Sequence, residues 1–119
     1  MPSATDRLVE QVLLAADLVP SGRVVSYGDL AALVGTSPRR VGRIMATHGH
    51  RTNWWRVTNA AGDLVVLDAA RAMWAAEGIR IKPNGLGTRM RDHHADLARL
   101  AADFEAAGGV VVDPPAGQP

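Results

Sequence analysis

The chain has 119 residues, of which 47% are hydrophobic and 21% charged, so it has room for one ordinary domain with a buried core. The absence of charge blocks and of long apolar runs argues against disorder and membrane insertion, and an N-terminus without an export signal leads us to expect a cytoplasmic protein. The sequence contains no cysteine, which excludes disulfides, thiolate metal sites and thiol nucleophiles.

Positive charge is concentrated in one third of the chain. The segment 20–58 has six arginines and a single acid, Asp29, so the remaining residues carry a net negative charge. Such a distribution is typical of a domain that binds a polyanion, and a solvated basic face is the alternative. The six are Arg23, Arg39, Arg40, Arg43, Arg51 and Arg56.

The first half of the chain predicts three helices. The first begins at about residue 3 and ends near residue 19, with apolar residues at helical spacing. Ser26 can cap a second helix over residues 27–34, and Gly35 suits its end because it adopts positive φ. Pro38 begins a third helix, where its missing N–H costs nothing. Two short helices across so tight a turn indicate a helix-turn-helix.

The third helix has two contrasting sides. Its apolar side holds Val41, Ile44 and Met45, whereas the opposite side holds Arg39, Arg43 and Ala46. Arginine beside very small residues favours contact with the DNA backbone or the minor groove over base reading, and a smooth face without a partner is the alternative.

The second half predicts a small β wing and two more helices. The run 54–58 is strand-like, and a turn at 60–63 followed by the apolar run 64–67 predicts a hairpin. A helix over 69–77 follows, then a glycine-rich loop, and Thr88 can cap a long helix that ends near Gly108.

These elements predict a mainly α fold, a winged helix-turn-helix with a small β wing and a C-terminal helical extension. We assign residues 1–85 to the DNA-binding domain, 86–112 to a helical extension of that domain, and 113–119 to a flexible tail. The histidines do not have the spacing that a metal site needs, because neither His48 and His50 nor His93 and His94 share one helical face with a third ligand. No metal or cofactor is expected.

Several ordered motifs resemble the C-terminal DNA-binding domain of O6-alkylguanine-DNA alkyltransferases. They are residues 19–35 (VPSGRVVSYGDLAALVG), 39–42 (RRVG) and 54–57 (WWRV), followed by Gly62, and they span roughly the first two thirds of the chain. The active-site signature of that family reads Pro-Cys-His-Arg-Val, and the cysteine accepts the alkyl group.

The matching residues here are Asn53 to Val57, so Trp54 stands in the place of the cysteine. The chain is therefore similar to the alkyltransferase-like proteins, which bind DNA containing O6-alkylguanine and hand the lesion to nucleotide-excision repair. An indole N–H only donates hydrogen bonds, so we predict that the chain is not an enzyme. Asn53 and Trp55 depart from the proline and histidine that those proteins commonly have.

The resemblance also assigns roles to single residues. Tyr27 would act on the phosphate of the target nucleotide, and Arg39 or its neighbour Arg40 would fill the space left by the flipped base, with Arg43 on the same helix. Trp54 would line the lesion pocket. Arg56 would either lie beside that pocket or serve as a scaffold arginine. Glu77 would match the family glutamate that orients the histidine.

The predicted partner is double-stranded DNA, bound by a monomer, with nucleotide-excision repair proteins as further partners and no membrane. Two other classes of protein stay open. The chain could be a winged-helix transcriptional regulator or nucleoid-type DNA binder without lesion specificity. It could also be an adaptor that docks a protein on its acidic last helix.

Overall fold

The computed structural model describes residues 3–112 and is mainly helical. Its elements, in chain order, are α1 (Ala4–Asp17), β1 (Val25–Ser26), α2 (Tyr27–Val34), α3 (Pro38–His48), β2 (Val57–Thr58), α4 (Leu67–Glu77), α5 (Met90–His93) and α6 (Leu97–Ala106). Two 3-10 turns, Gly49–Arg51 and Trp54–Arg56, connect α3 to β2. The helical fold class with a small β part is confirmed, whereas the predicted tail, 113–119, lies outside the described residues.

The helix ends follow local sequence signals. Ser26 accepts a hydrogen bond from the Asp29 amide at 3.0 Å, and the Asp29 carboxylate accepts one from the Ser26 amide at 2.9 Å, a reciprocal cap on α2. Gly35 ends α2 at φ +91°, in the left-handed region that favours glycine. Ser37 caps α3 ahead of Pro38. The predicted helix-turn-helix is thus confirmed in its boundaries.

The core forms where α1, α2 and α3 meet. Val12, Leu30, Val34 and Val41 are all fully buried there. The extension contributes to the same core through Phe104 of α6, which packs with residues of α1. A second, smaller cluster surrounds the buried Trp74 of α4.

The two-stranded sheet is parallel and very short. β1 pairs with β2 in the register Val25 to Val57, and an isolated parallel bridge joins Val24 to His94 on the other side. The predicted strand over 54–58 is therefore wrong for residues 54–56, which form a 3-10 turn in which the Arg56 amide donates to the Asn53 carbonyl at 3.0 Å.

The predicted hairpin strand over 64–67 is also not formed. The Leu64 amide pairs with the Leu86 carbonyl at 3.1 Å, Val65 and Val66 form an exposed turn, and Leu67 already begins α4. The small wing is built instead from two loops that an antiparallel bridge joins at Asp63 and Gly87. The side chain of Lys82 fastens these loops, since its Nζ lies 2.6 Å from Asp63 Oδ1.

The predicted long helix from Thr88 to Gly108 is broken in two. The chain leaves α5 because the His93 carbonyl accepts from the Val24 amide at 2.9 Å and the Ala95 amide donates to the Val24 carbonyl at 3.0 Å. Asp96 then caps α6. Thr88 is fully buried and caps no helix, contrary to the prediction.

No helix among residues 3–112 is long and apolar enough to cross a membrane, and the longest, α1, has 14 residues.

Candidate nucleic-acid interface

The outer face of α3 is cationic and unpaired. Val41 and Ile44 are buried against the core, which leaves Arg39, Arg43 and Ala46 exposed on the other side. Neither Arg39 nor Arg43 has an acidic partner within residues 3–112. Arginines that the fold leaves uncompensated are available to phosphates.

Arg40 is in a different environment from Arg39. It is half-buried and has an interaction within the protein, whereas Arg39 is exposed at the first turn of the helix. Of the two predicted candidates for entry into the base stack, Arg39 therefore has the freer side chain.

Tyr27 lies at the start of α2, directly against α3. A Cβ built on Gly42 would lie 3.7 Å from two carbons of the Tyr27 ring, so a glycine in α3 makes room for that ring. Burial raises the pKa of the Tyr27 phenol above its ordinary value of 10.0. Within residues 3–112 the hydroxyl has no hydrogen-bond partner, which leaves it able to donate outward.

The three tryptophans lie side by side. The rings of Trp54 and Trp55 meet edge to face with centroids 5.9 Å apart and an interplanar angle of 88°. Trp74, which is fully buried, donates from Nε1 to the Trp55 carbonyl at 2.6 Å. Trp54 and Trp55 are both partly exposed, so neither of the two is a fully buried core residue.

Glu77 connects this cluster to the rest of the fold. Its carboxylate accepts from Trp55 Nε1 at 2.8 Å, from Arg56 Nη2 at 2.7 Å and from the Gly22 amide at 2.9 Å. Burial alone would raise the pKa of Glu77, but the hydrogen bonds from Arg56, Gly22 and Trp55 and the charge of Arg56 outweigh it, and the pKa lies below its ordinary value of 4.5. Glu77 is thus an ionised structural hub.

Arg56 is committed to the scaffold. Its Nη1 donates to the Val19 carbonyl at 2.9 Å, its Nε and Nη2 donate to Glu77, and its guanidinium lies 5.4 Å from the centre of the Trp55 ring. This arrangement matches the scaffold alternative for Arg56, while its contact with a lesion stays a prediction.

Sequence reasoning missed two contributors to this site. The first is Trp74, whose signal was its position three residues before Glu77, on the same side of one helix. The second is the side chain of Asn53. It donates from Nδ2 to the Asp17 carbonyl at 3.2 Å and so connects the start of the 3-10 turn to the end of α1.

A pocket of about 410 Å³ opens beside the wing, at the start of α4. Asp63, Leu67 and Arg71 are among its lining residues, and neither Trp54 nor Tyr27 is. It is therefore separate from the predicted lesion site. Residues 3–112 hold no group of three histidine, aspartate or glutamate side chains that could bind a metal ion.

Comparison with known proteins identifies relatives of this site. The family described as "6-O-methylguanine DNA methyltransferase, DNA binding domain" matches residues 7–79. A DNA base-flipping protein of Vibrio parahaemolyticus is 28% identical over 88 residues, which cover 67% of this chain and 88% of the relative. The crystal structure of S. pombe Atl1 in complex with damaged DNA containing O6-carboxymethylguanine has a similar fold, with a TM-score of 0.65 at 24% identity over 75% of this chain and 94% of that one.

Proposed function

Since the chain belongs to the family of the 6-O-methylguanine DNA methyltransferase DNA-binding domain and is an alkyltransferase-like protein, we propose that it binds duplex DNA, flips out O6-alkylguanine and does not remove the alkyl group. One observation carries the proposal. Arg39 and Arg43 have no acidic partner within residues 3–112, and they lie on the helix whose Gly42 packs against the ring of Tyr27, a tyrosine whose hydroxyl has no hydrogen-bond partner in that part of the chain.

Each contact then has a physical task. Arg39 is a planar cation that can stack and donate hydrogen bonds, so it can occupy the space that a flipped base leaves. Tyr27 donates to a phosphate next to the target nucleotide. A damaged, poorly paired guanine costs less to unstack than a normal one, which supplies part of the selectivity.

Trp54 takes the place where the family has its acceptor thiolate. The sequence has no cysteine at all, and an indole is neither a nucleophile at neutral pH nor a proton acceptor. A partly exposed indole offers a face for the flipped base to stack on. The relatives support lesion binding in general, since one is a DNA base-flipping protein and the other is bound to damaged DNA containing O6-carboxymethylguanine.

The test is a pair of duplexes that differ only in one guanine or O6-methylguanine, titrated at one salt concentration. We expect tighter binding to the damaged duplex and no radiolabel on the protein after incubation with DNA labelled on the O6-methyl group. Equal affinity for both duplexes would favour the regulator or nucleoid-type binder, and stoichiometric label on the protein would contradict the absence of alkyl transfer.

The proposal extends to the cellular role that the family resemblance implies. The chain would act as a monomer in the cytoplasm and pass the lesion to nucleotide-excision repair proteins. Size-exclusion chromatography with light scattering tests the monomer. For the repair partners, the test is retention of purified excision-repair proteins on the damaged duplex only when this protein is bound.

A further inference from the structure

A second group of uncompensated arginines lies outside α3. Several arginine and lysine side chains within residues 3–112 have acidic partners, among them Arg51, Arg56, Arg71, Lys82 and Arg99. By contrast, exposed arginines without an acidic partner in that part of the chain include four in the segments 22–24 and 79–94. They are Arg23, Arg80, Arg89 and Arg91.

Hydrogen bonds gather the chain segments that hold these four arginines around α5. The Val24 amide donates to the His93 carbonyl at 2.9 Å, which places Arg23 beside α5. The Arg80 amide donates to Nε2 of the same histidine at 3.2 Å. Arg89 and Arg91 flank the first residue of α5. We call this set of four residues the arginine edge.

Acidic side chains near the arginine edge do not neutralise it. Glu77, which contacts the Gly22 amide, is occupied by Arg56 and Trp55. Asp29 is occupied by His94, whose Nε2 lies 2.8 Å from Asp29 Oδ2. Asp92 is exposed next to Arg91 and is the only acid in the segment 79–94. Asp96, just beyond that segment, caps α6 by accepting from the Arg99 amide. The edge therefore keeps an excess of positive charge.

The arginine edge is close to the proposed DNA-binding face. Arg23 precedes Tyr27 by four residues, across the extended segment that contains β1, so their Cα atoms are at most about 14 Å apart. Charges on a DNA strand recur every 3.4 Å or so along the helix axis, so this separation is a few nucleotides. A duplex that contacts Tyr27 therefore has phosphates at the distance of Arg23, the member of the edge that is nearest to Tyr27 in the sequence.

We propose that the arginine edge binds phosphates of the same duplex, flanking the stretch that α3 holds. The inference rests on the proposed function and extends it, because Arg80, Arg89 and Arg91 lie beyond the residues 7–79 that match the family. The C-terminal extension would then lengthen the DNA footprint and raise affinity without reading the lesion.

The test compares the salt dependence of duplex binding for two double variants. Arg80→Gln/Arg91→Gln removes two charges from the edge, and the matched control Arg7→Gln/Arg99→Gln removes two exposed charges from α1 and α6. Binding weakens as salt rises, and each lost phosphate contact reduces the magnitude of the slope of log K against log salt by about 0.9. The slope of the edge variant should therefore be smaller in magnitude by about 1 to 2 units. We expect the control to keep the wild-type slope and both variants to keep the wild-type preference for O6-methylguanine.

Equal slopes for the edge variant and the control would overturn the inference while leaving the proposed function intact. Failure of the unmodified chain to bind any duplex would overturn both. A second measurement tests whether the phosphates at the edge belong to the same duplex or to a second one. The protein is bound to an immobilised duplex until that duplex is saturated, and a labelled free duplex is then added. Capture of that duplex by the wild type and not by the edge variant would mean that the edge holds a second duplex, which contradicts the flanking position.

Discussion

The indole of Trp55 donates a hydrogen bond to Oε2 of Glu77 at 2.8 Å. The family resemblance predicts a histidine at position 55 and an orienting glutamate at position 77, and here the indole meets Glu77 through the one donor that its ring has. The Trp54 ring in turn packs edge to face with the Trp55 ring. The orientation of the proposed pocket wall therefore depends on Glu77, two contacts away.

We expect Glu77→Ala to destabilise the fold strongly. The carboxylate and Arg56 are 10% and 13% exposed, so the variant would leave a partly buried guanidinium without its partner, at a cost of about 3 kcal/mol. Glu10→Ala is the matched control, because Glu10 pairs with Arg51 at the surface and such pairs contribute about 1 kcal/mol or less. Urea unfolding measures both, and equal losses would contradict the role of Glu77 as a hub.

The same carboxylate predicts acid sensitivity. The pKa of Glu77 is lower in the folded chain than its ordinary value of 4.5, so its stabilisation is complete above that value and is lost as pH falls through the folded-state pKa. Wild-type protein should therefore lose more unfolding free energy than Glu77→Gln between neutral pH and about pH 3. Parallel urea titrations at both pH values give this difference. Identical losses of unfolding free energy would show that the pKa of Glu77 is the same in the folded and unfolded chains.

Local signals predicted the helix-turn-helix well, because caps act within a few residues. Ser26 and Gly35 bound α2 through contacts that the sequence itself contains. The last helix was mispredicted because its break depends on a distant partner, Val24, which takes the backbone groups of residues 93 and 95. No local pattern near residue 94 contains that information.

In the candidate site, too, local features were predictable and features that depend on distant contacts were not. Arg39 and Arg43 were placed on the outer face of α3 by helical periodicity, which the burial of Val41 and Ile44 confirms. The environment of the tryptophans could not be predicted, because the geometry of the turn at 54–56 depends on packing against Trp74 and on the hydrogen bonds of Glu77.

Tyr27 allows a direct titration, since it is the only tyrosine in the sequence. Its phenolate absorbance should rise with a midpoint above 10.0, because burial raises the pKa of the phenol. Because the pKa is higher in the folded chain, the contribution of Tyr27 to the unfolding free energy is fully present below the unfolded-state pKa and is lost as pH rises through the folded-state pKa. The urea-unfolded chain serves as the control, and the same midpoint in both states would mean that the ring is not buried against α3.

Arg39→Ala should weaken binding to the O6-methylguanine duplex by about 1–3 kcal/mol, the range for a specific side chain at a nucleic-acid interface. Arg7→Ala, which removes an exposed arginine from α1, is the matched control for loss of charge. Fluorescence anisotropy at fixed salt measures both. Normal binding by Arg39→Ala together with a loss in Arg40→Ala would assign the stack-filling role to Arg40 instead.

Trp54 and Trp74 offer the sharpest comparison in the chain, because the two indoles belong to one cluster and differ in exposure. Trp74 is fully buried, so Trp74→Ala should cost about 3–5 kcal/mol of unfolding free energy. Trp54 is partly exposed, and as a stacking wall it should contribute about 1–3 kcal/mol to binding of the flipped base. We therefore expect Trp54→Ala to retain most of its thermal stability and its salt-dependent binding to undamaged DNA while losing the preference for O6-methylguanine. Unfolding of Trp54→Ala to the extent seen for Trp74→Ala, or an unchanged lesion preference, would remove Trp54 from the pocket and leave it as a structural neighbour of Trp55.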